Sequence, residues 1–180
     1  MKASQLLVLL YFLCATFILF YFDGTGGEAD SMNHFLHAKY AAEHPHLLLN
    51  HWAKPFFTLL LFPFAQFGFL GAKIFNVLCS FFTIYFTYLI ARDLELKRPY
   101  LASLFLFLFP LSFLTTFSSL TEPLSAALLM ASIYLSIHQK WKVAAVLVSL
   151  QPFVRSEGLL ILGVFGILLL MKKQWKAAPY

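Results

Sequence analysis

The chain has 180 residues, of which 61% are hydrophobic and only 12% charged, with a mean hydropathy of +0.78. That charged share is about half the roughly 25% usual for soluble domains, which sets a water-soluble globular reading aside. The net charge of +5 does not point to nucleic acid, because the Lys and Arg residues stand in short clusters beside apolar runs, the pattern that orients membrane proteins.

The first apolar run, about residues 4–22, follows Lys2 and exceeds a signal-peptide core. No small-residue cleavage site precedes Asp23, so the run predicts an uncleaved first span. A long polar connection, 23–71, comes next. It opens on the flexible Asp23-Gly24-Thr25-Gly26-Gly27, and Met32, Phe35, Leu36 and Tyr40 then stand at the spacing of an amphipathic helix lying in the interface. Within the same connection, 56–70 is apolar but only about 15 residues long, is opened by Lys54-Pro55 and is interrupted by Pro63. Runs at 72–91, 99–118 and 123–138 follow, the last two forming a hairpin with its tip at Thr121-Glu122-Pro123. The final run, 143–171, is ionised at its centre by Arg155-Ser156-Glu157 and reads as two short helices, 143–154 and 159–171.

Sidedness follows from the basic clusters Arg92/Lys97/Arg98, Lys140/Lys142 and Lys172/Lys173/Lys176, which together with Lys2 belong on the cytoplasmic side. An even number of crossings must then separate consecutive clusters, so 56–70 is the run that does not cross. The expected fold is all-α: a single polytopic transmembrane helical bundle over 1–180, with interfacial helices in its first external loop. Asp23, Glu28, Asp30, Glu43, Glu122 and Glu157 fall on the outer face. Cys14 and Cys79 lie inside apolar runs and read as small buried hydrophobes.

Several outer residues carry chemistry beside a plainer role. Asp30 is placed to cap the interfacial helix, or to act as general base on an acceptor hydroxyl. His34 and His37 follow it on one helix face; the pattern permits a divalent metal, or simply a face wetted by headgroups. His51-Trp52-Ala53-Lys54-Pro55 sets an imidazole, an indole and an ammonium ahead of an apolar helix, either as interfacial anchors or, through Lys54, as a partner for a lipid-linked phosphate. Glu122 sits in a helix-start sequence. Arg155 and Glu157 are ionisable groups between apolar helices, functional candidates on that ground or an ion pair closing the hairpin tip.

The order of these elements resembles the GT-C class of polytopic glycosyltransferases, which includes the protein O-mannosyltransferases and the lipid A aminoarabinose transferases. The pieces that carry the resemblance are Glu28-Ala29-Asp30-Ser31, His51-Trp52-Ala53-Lys54-Pro55 and Tyr88-Leu89-Ile90-Ala91-Arg92-Asp93. It implies that Asp30 is the catalytic carboxylate and that Ser31 stands where the class carries a second acid, with Glu28 a candidate substitute. It further implies that Lys54 contacts the carrier phosphate, and that His51, Glu122, Arg155 and Glu157 bind substrate. The donor would be a polyprenyl-phosphate sugar and the acceptor a lipid, glycan or protein, with the site facing outward from a bacterial inner membrane and the chain forming the N-terminal portion of a longer enzyme. No glycine-rich phosphate loop follows a strand-like segment, which argues against direct use of a nucleotide sugar. The competing reading is a non-catalytic membrane protein or transporter-like fragment that uses the same outer polar groups to bind lipid-linked substrates.

Overall fold

The computed structural model describes residues 3–26 and 28–177. These residues are helical throughout their ordered elements, with no strand among them: α1 (Ala3–Tyr21), α2 (Glu28–Lys39), α3 (Pro55–Ala65), α4 (Phe69–Asp93), α5 (Pro99–Leu108), α6 (Pro110–Thr116), α7 (Glu122–Ile137), α8 (Trp141–Ser149) and α9 (Gly158–Met171). Short 3-10 turns lie at Pro45–Leu49, Gln151–Phe153 and Trp175–Ala177. Proline opens α3, α5 and α6 and takes the second position of α7, where its missing N–H has no helical partner to lose.

The 25-residue α4 is about 38 Å long at 1.5 Å per residue. Among the described residues it is the one helix long and apolar enough to cross a membrane. It is also the axis of the fold, packing on α1, α3, α5, α6 and α7. Phe75 and Cys79 enter a cluster with Phe35, Phe57, Leu61, Leu124 and Val154, whereas Val77 and Ile84 enter another with Tyr11, Ala15 and Phe117. A third cluster, built on Trp141, Val148, Phe165 and Leu169, joins α8 to α9. α2 turns Ser31, His34, Phe35 and Ala38 inward and leaves Leu36 exposed, so its packed face is rotated from the one that the large apolar residues alone suggest.

Two elements depart from the sequence reading. The run 99–118 is not one helix: α5 and α6 meet at a 69° bend at Phe109-Pro110, because Pro110 withholds an N–H and crowds the preceding turn. The second departure is at the start of α2. Asp30 lies inside the first helical turn, since the helix begins at Glu28, and so does not occupy the cap position. α3 is an 11-residue helix carrying Pro63 internally, about 17 Å long and short of the ~30 Å of a bilayer core.

α4, α7 and α9 end alike. Each has a polar, non-glycine residue in the left-handed region just past its last turn: Glu95 (φ 56°), Gln139 (φ 59°) and Lys173 (φ 55°). In each, the following N–H reaches back to a helix carbonyl: Leu96 to Ala91, Lys140 to Leu135 and Gln174 to Leu169, the bond of a Schellman cap. His138 Nε2 lies 3.5 Å from Asp93 Oδ2. Gln139, Trp141 and Lys172 line one apolar groove of ≈560 Å³ between α7, α8 and α9. The three basic clusters therefore gather at one end of the helices.

At the other end, buried polar bonds fix the turns. Asn76 of α4 donates through Nδ2 to the carbonyls of Ser118 (2.9 Å) and Leu120 (3.0 Å), with a longer approach to Thr115 (3.4 Å). The Ser118 and Leu120 carbonyls lie just past α6, where no helical donor remains for them. Ser31 is fully buried; its hydroxyl donates to the Thr25 carbonyl and accepts from the Ser119 N–H, both at 2.8 Å. Ser125 and Gln151 exchange two bonds, of 2.7 and 2.9 Å, joining the start of α7 to the turn before α9. At that turn a Cβ on Gly158 would stand 2.3 Å from the Gln151 carbonyl carbon, so only glycine lets α9 begin so close to that backbone. Lys73 is buried at the top of α4, where its ammonium bonds to the Phe22 carbonyl at the end of α1, a favourable place for a cation at a helix C-terminus.

Replacing Asn76 tests this arrangement. Asn76→Leu removes the donor and leaves carbonyls buried without partners, at an expected cost of about 2–4 kcal/mol. Asn76→Asp keeps the shape but sets a carboxylate against carbonyl oxygens. Its thermal unfolding temperature should fall further than that of the Leu variant at neutral pH, and recover in part on acidification as the carboxyl regains a donor proton.

Candidate functional site

Polar residues of the connecting segments converge on one cavity of ≈350 Å³, lined by Asp30, His34, His51, Trp52, Lys54, Leu120, Thr121, Glu122, Arg155, Ser156 and Glu157. Four chain segments meet there: the first turns of α2, the loop before α3, the start of α7 and the turn before α9. Asp30, His51, Lys54, Glu122, Arg155 and Glu157, scattered over more than a hundred residues of sequence, thus share one wall. Glu28 opens α2, and its side chain lies outside the described residues. His37 is not a lining residue. Ser31, at the position of the second acid in the resembling class, is a buried link between loops.

Each cavity group has a local cause. Asn50 Oδ1 accepts from the N–H groups of Trp52 (2.9 Å) and Ala53 (3.1 Å), a side-chain-made turn that presents the indole and leads into α3. Thr58 then clamps the turn from within, its hydroxyl donating to the Ala53 carbonyl at 3.0 Å. Lys54 sits between these bonds at φ 66°, ψ 103°. A side chain there carries backbone strain of order 1–3 kcal/mol that glycine would not, and strain of this kind collects at functional positions. The Lys54 ammonium donates to Ser156 Oγ at 2.8 Å.

The charges are unequally committed. Arg155 holds Glu122 at 2.5 Å and Glu157 at 3.0 Å. Burial opposes its charge, but hydrogen bonds to Glu157 and Glu122 outweigh that and raise its pKa above the ordinary guanidinium value. The Arg155 bond in turn lowers the pKa of Glu157, an exposed carboxyl. This cation is therefore already spent on two carboxylates, and Glu122 Oε2 is left buried without a partner. Lys54, by contrast, makes no close ion pair among the described residues, its charge reaching Glu157 only at longer range, and Asp30 makes neither a hydrogen bond nor an ion pair with any of them. One uncommitted cation and one uncommitted carboxylate thus face a common space, the arrangement that binds an anion beside a proton acceptor.

His34 and His37 do not form a ligand set. His34 stacks on Trp52 with ring centroids 4.7 Å apart and planes 14° apart, and His37 lies against the same indole at 5.8 Å. Among the described residues no three His, Cys, Asp or Glu side chains are grouped to hold a metal ion. His34 is buried, and its Nδ1 has no hydrogen-bond partner. Its pKa is lowered by that burial, against the opposing pull of the Ala53 carbonyl and of the Asp30 and Glu122 carboxylates. Trp52, Thr121 and Ser156 were not singled out by the sequence as binding groups, and His34 only as a metal-ligand candidate. The only available signal was their adjacency to Lys54, Glu122, Arg155 and Asp30.

No protein-family model, no curated protein and no solved structure matches the chain.

The depressed pKa of His34 has a definite sign. The unfolded chain takes up the proton near the ordinary value of 6.5 while the folded chain resists it, so the stability that neutral His34 permits is present above that value and is lost as pH falls through the lower, folded one. Thermal unfolding of the wild type, followed from about pH 7 to about pH 5, should lose more stability than His34→Phe does over the same range.

Proposed function

We propose that the chain forms the donor-binding and base-bearing part of a polytopic inner-membrane glycosyltransferase of GT-C type, moving a sugar from a polyprenyl-phosphate donor to an acceptor hydroxyl at the outer face. The observation that carries this reading is the pairing, in one cavity, of an uncommitted ammonium at Lys54 with an uncommitted carboxylate at Asp30. Layout supports it as well: the cavity lies at the end of α4, α7 and α9 away from their basic termini, as the positive-inside rule requires of an outward site. α1 and α4 would cross the membrane. α5 with α6, α7, and the α8–α9 hairpin would complete the bundle, and α2 and α3 would rest in the outer leaflet.

In this reaction Asp30 takes the proton of the acceptor hydroxyl as its oxygen attacks the anomeric carbon, and the bond from that carbon to the phosphate oxygen breaks. The polyprenyl phosphate leaves with the electron pair, and the Lys54 ammonium, steadied by Ser156, meets the growing charge. Arg155 does not fill that role, since its guanidinium is held by Glu122 and Glu157. It ties the α7 and α9 walls together.

Sugar transfer and thermal stability, measured side by side, test the assignment. Asp30→Asn keeps the shape and removes the proton affinity, so transfer should fall by roughly 10²–10⁴-fold in a folded protein; full activity in that variant would remove Asp30 from the mechanism. Lys54→Gly should separate strain from function. Relief of the positive φ should hold or raise the unfolding temperature, while the loss of the phosphate partner raises the donor KM and lowers kcat/KM. A Lys54→Gly enzyme with unchanged donor KM would exclude Lys54 as the phosphate ligand.

The topology is tested separately, in a background carrying Cys14→Ala and Cys79→Ala. His46→Cys should react with an impermeant maleimide on intact cells, and Glu95→Cys only after permeabilisation. Labelling at 95 from outside would invert or break the proposed orientation.

A further inference from the structure

One cavity group takes no part in the transfer described above. His34 stands one turn after Asp30 on α2, so both side chains rise on the same helix face. Its ring is fixed on two sides, stacked on Trp52 at 4.7 Å and edge-on to the fully buried Phe57 at 5.4 Å and 75°. The imidazole therefore cannot swing away, and its Nδ1 remains buried at the cavity without a partner.

A role as aromatic filler does not account for this. Phenylalanine would make the same two ring contacts and bury no polar atom, whereas almost every buried polar atom in a folded protein has a partner, and an exception calls for one that the chain itself does not supply. The character of that partner follows from the surroundings. Asp30 and Glu122 are the carboxylates that act on the ring, His37 is its imidazole neighbour, and burial keeps the ring neutral near pH 7. With the ring N–H drawn to the Ala53 carbonyl, the neutral imidazole keeps its unpartnered Nδ1 as an acceptor, the complement of an alcohol O–H rather than of an anion. The anion has its own place at Lys54 and Ser156. A space of ≈350 Å³ is near the lower end, roughly 300 Å³, of ligand pockets, suited to a single sugar phosphate rather than a chain of sugars.

We infer that His34 Nδ1 binds a hydroxyl of the sugar on the donor, so that the cavity recognises a monosaccharide phosphate ester at two points, the phosphate at Lys54 and a hydroxyl at His34. This rests on the lipid-phosphate donor reading. His34 is a binding residue here, and Asp30 remains the base.

The experiment compares the purified chain's affinity for farnesyl phosphate with its affinity for farnesyl phosphate esters of glucose, mannose and galactose, by titration calorimetry. In the wild type at least one sugar ester should bind about tenfold or more tightly than farnesyl phosphate, the gain expected of a well-made hydrogen bond to a buried acceptor. His34→Phe should erase that gain, leave farnesyl phosphate affinity unchanged, and unfold at the same or a higher temperature. His34→Gln, which keeps an acceptor, should retain part of the gain. A sugar gain that survives in His34→Phe, or a wild type that shows none with any of the three esters, overturns the His34 assignment and leaves the phosphate site standing. A wild type that binds neither farnesyl phosphate nor any ester overturns the donor reading and this inference with it. Should His34→Phe not fold, His34→Leu carries the same comparison.

Discussion

The architecture depends on satisfying a handful of backbone groups inside an apolar helical body. Past α6 the chain turns through Phe117–Thr121 with Phe117, Ser118, Ser119 and Thr121 all buried, where water is not at hand to solvate its carbonyls and amides. The Asn76 amide meets two of those carbonyls, and Ser31 meets the Ser119 amide. These are long-range bonds: each ties the turn to a different helix, α4 in one case and α2 in the other. The start of α7, and with it Glu122, is placed by that pair of attachments.

The same device repeats around the cavity. Ser125 and Gln151 lock the turn before α9 against the start of α7, Gly158 allows the close approach that this lock demands, and the Asn50 and Thr58 bonds shape the loop that carries Trp52 and Lys54. None of these linking residues carries a charge. They are neutral hydrogen-bonding side chains, which hold a turn within an apolar interior without the desolvation cost of an ion. The charged residues stand a layer further out, where Arg155 is balanced by two carboxylates and Lys54 and Asp30 are left unmatched. Fixed neutral scaffolding behind unbalanced charge is what allows a cavity to hold its shape while its charges wait for a ligand.

Much of this was legible from the sequence. The apolar runs at 4–22, 72–91 and 123–138 fall within a few residues of α1, α4 and α7. Pro63 and the short length of 56–70 already marked α3 as different, and the ionised break at Arg155-Ser156-Glu157 divided the last run where the structure divides it. Pro110 was equally visible, but hydrophobicity averaged over 99–118 hid it; a proline within an apolar run bends the chain whatever the mean hydropathy. Asp30 was misplaced by a single turn because no strong cap residue marks where α2 begins.

Hydropathy, basic clusters and proline positions by themselves determined an all-helical chain with most of its acidic and imidazole groups in the connections at one end, since those features depend only on composition and local spacing. What they could not determine was which charge is free. Arg155 and Lys54 look alike in sequence, two cations beside apolar helices, and only tertiary packing brings Glu122 across to neutralise the one while leaving the other to a serine hydroxyl. The orphaned nitrogen of His34 is of the same kind: a histidine on a helix face carries no mark of whether its partner is present. The bond that settles the matter is made, or left unmade, by residues distant in the chain, and pairings at that separation follow from the packing of whole helices rather than from any local pattern.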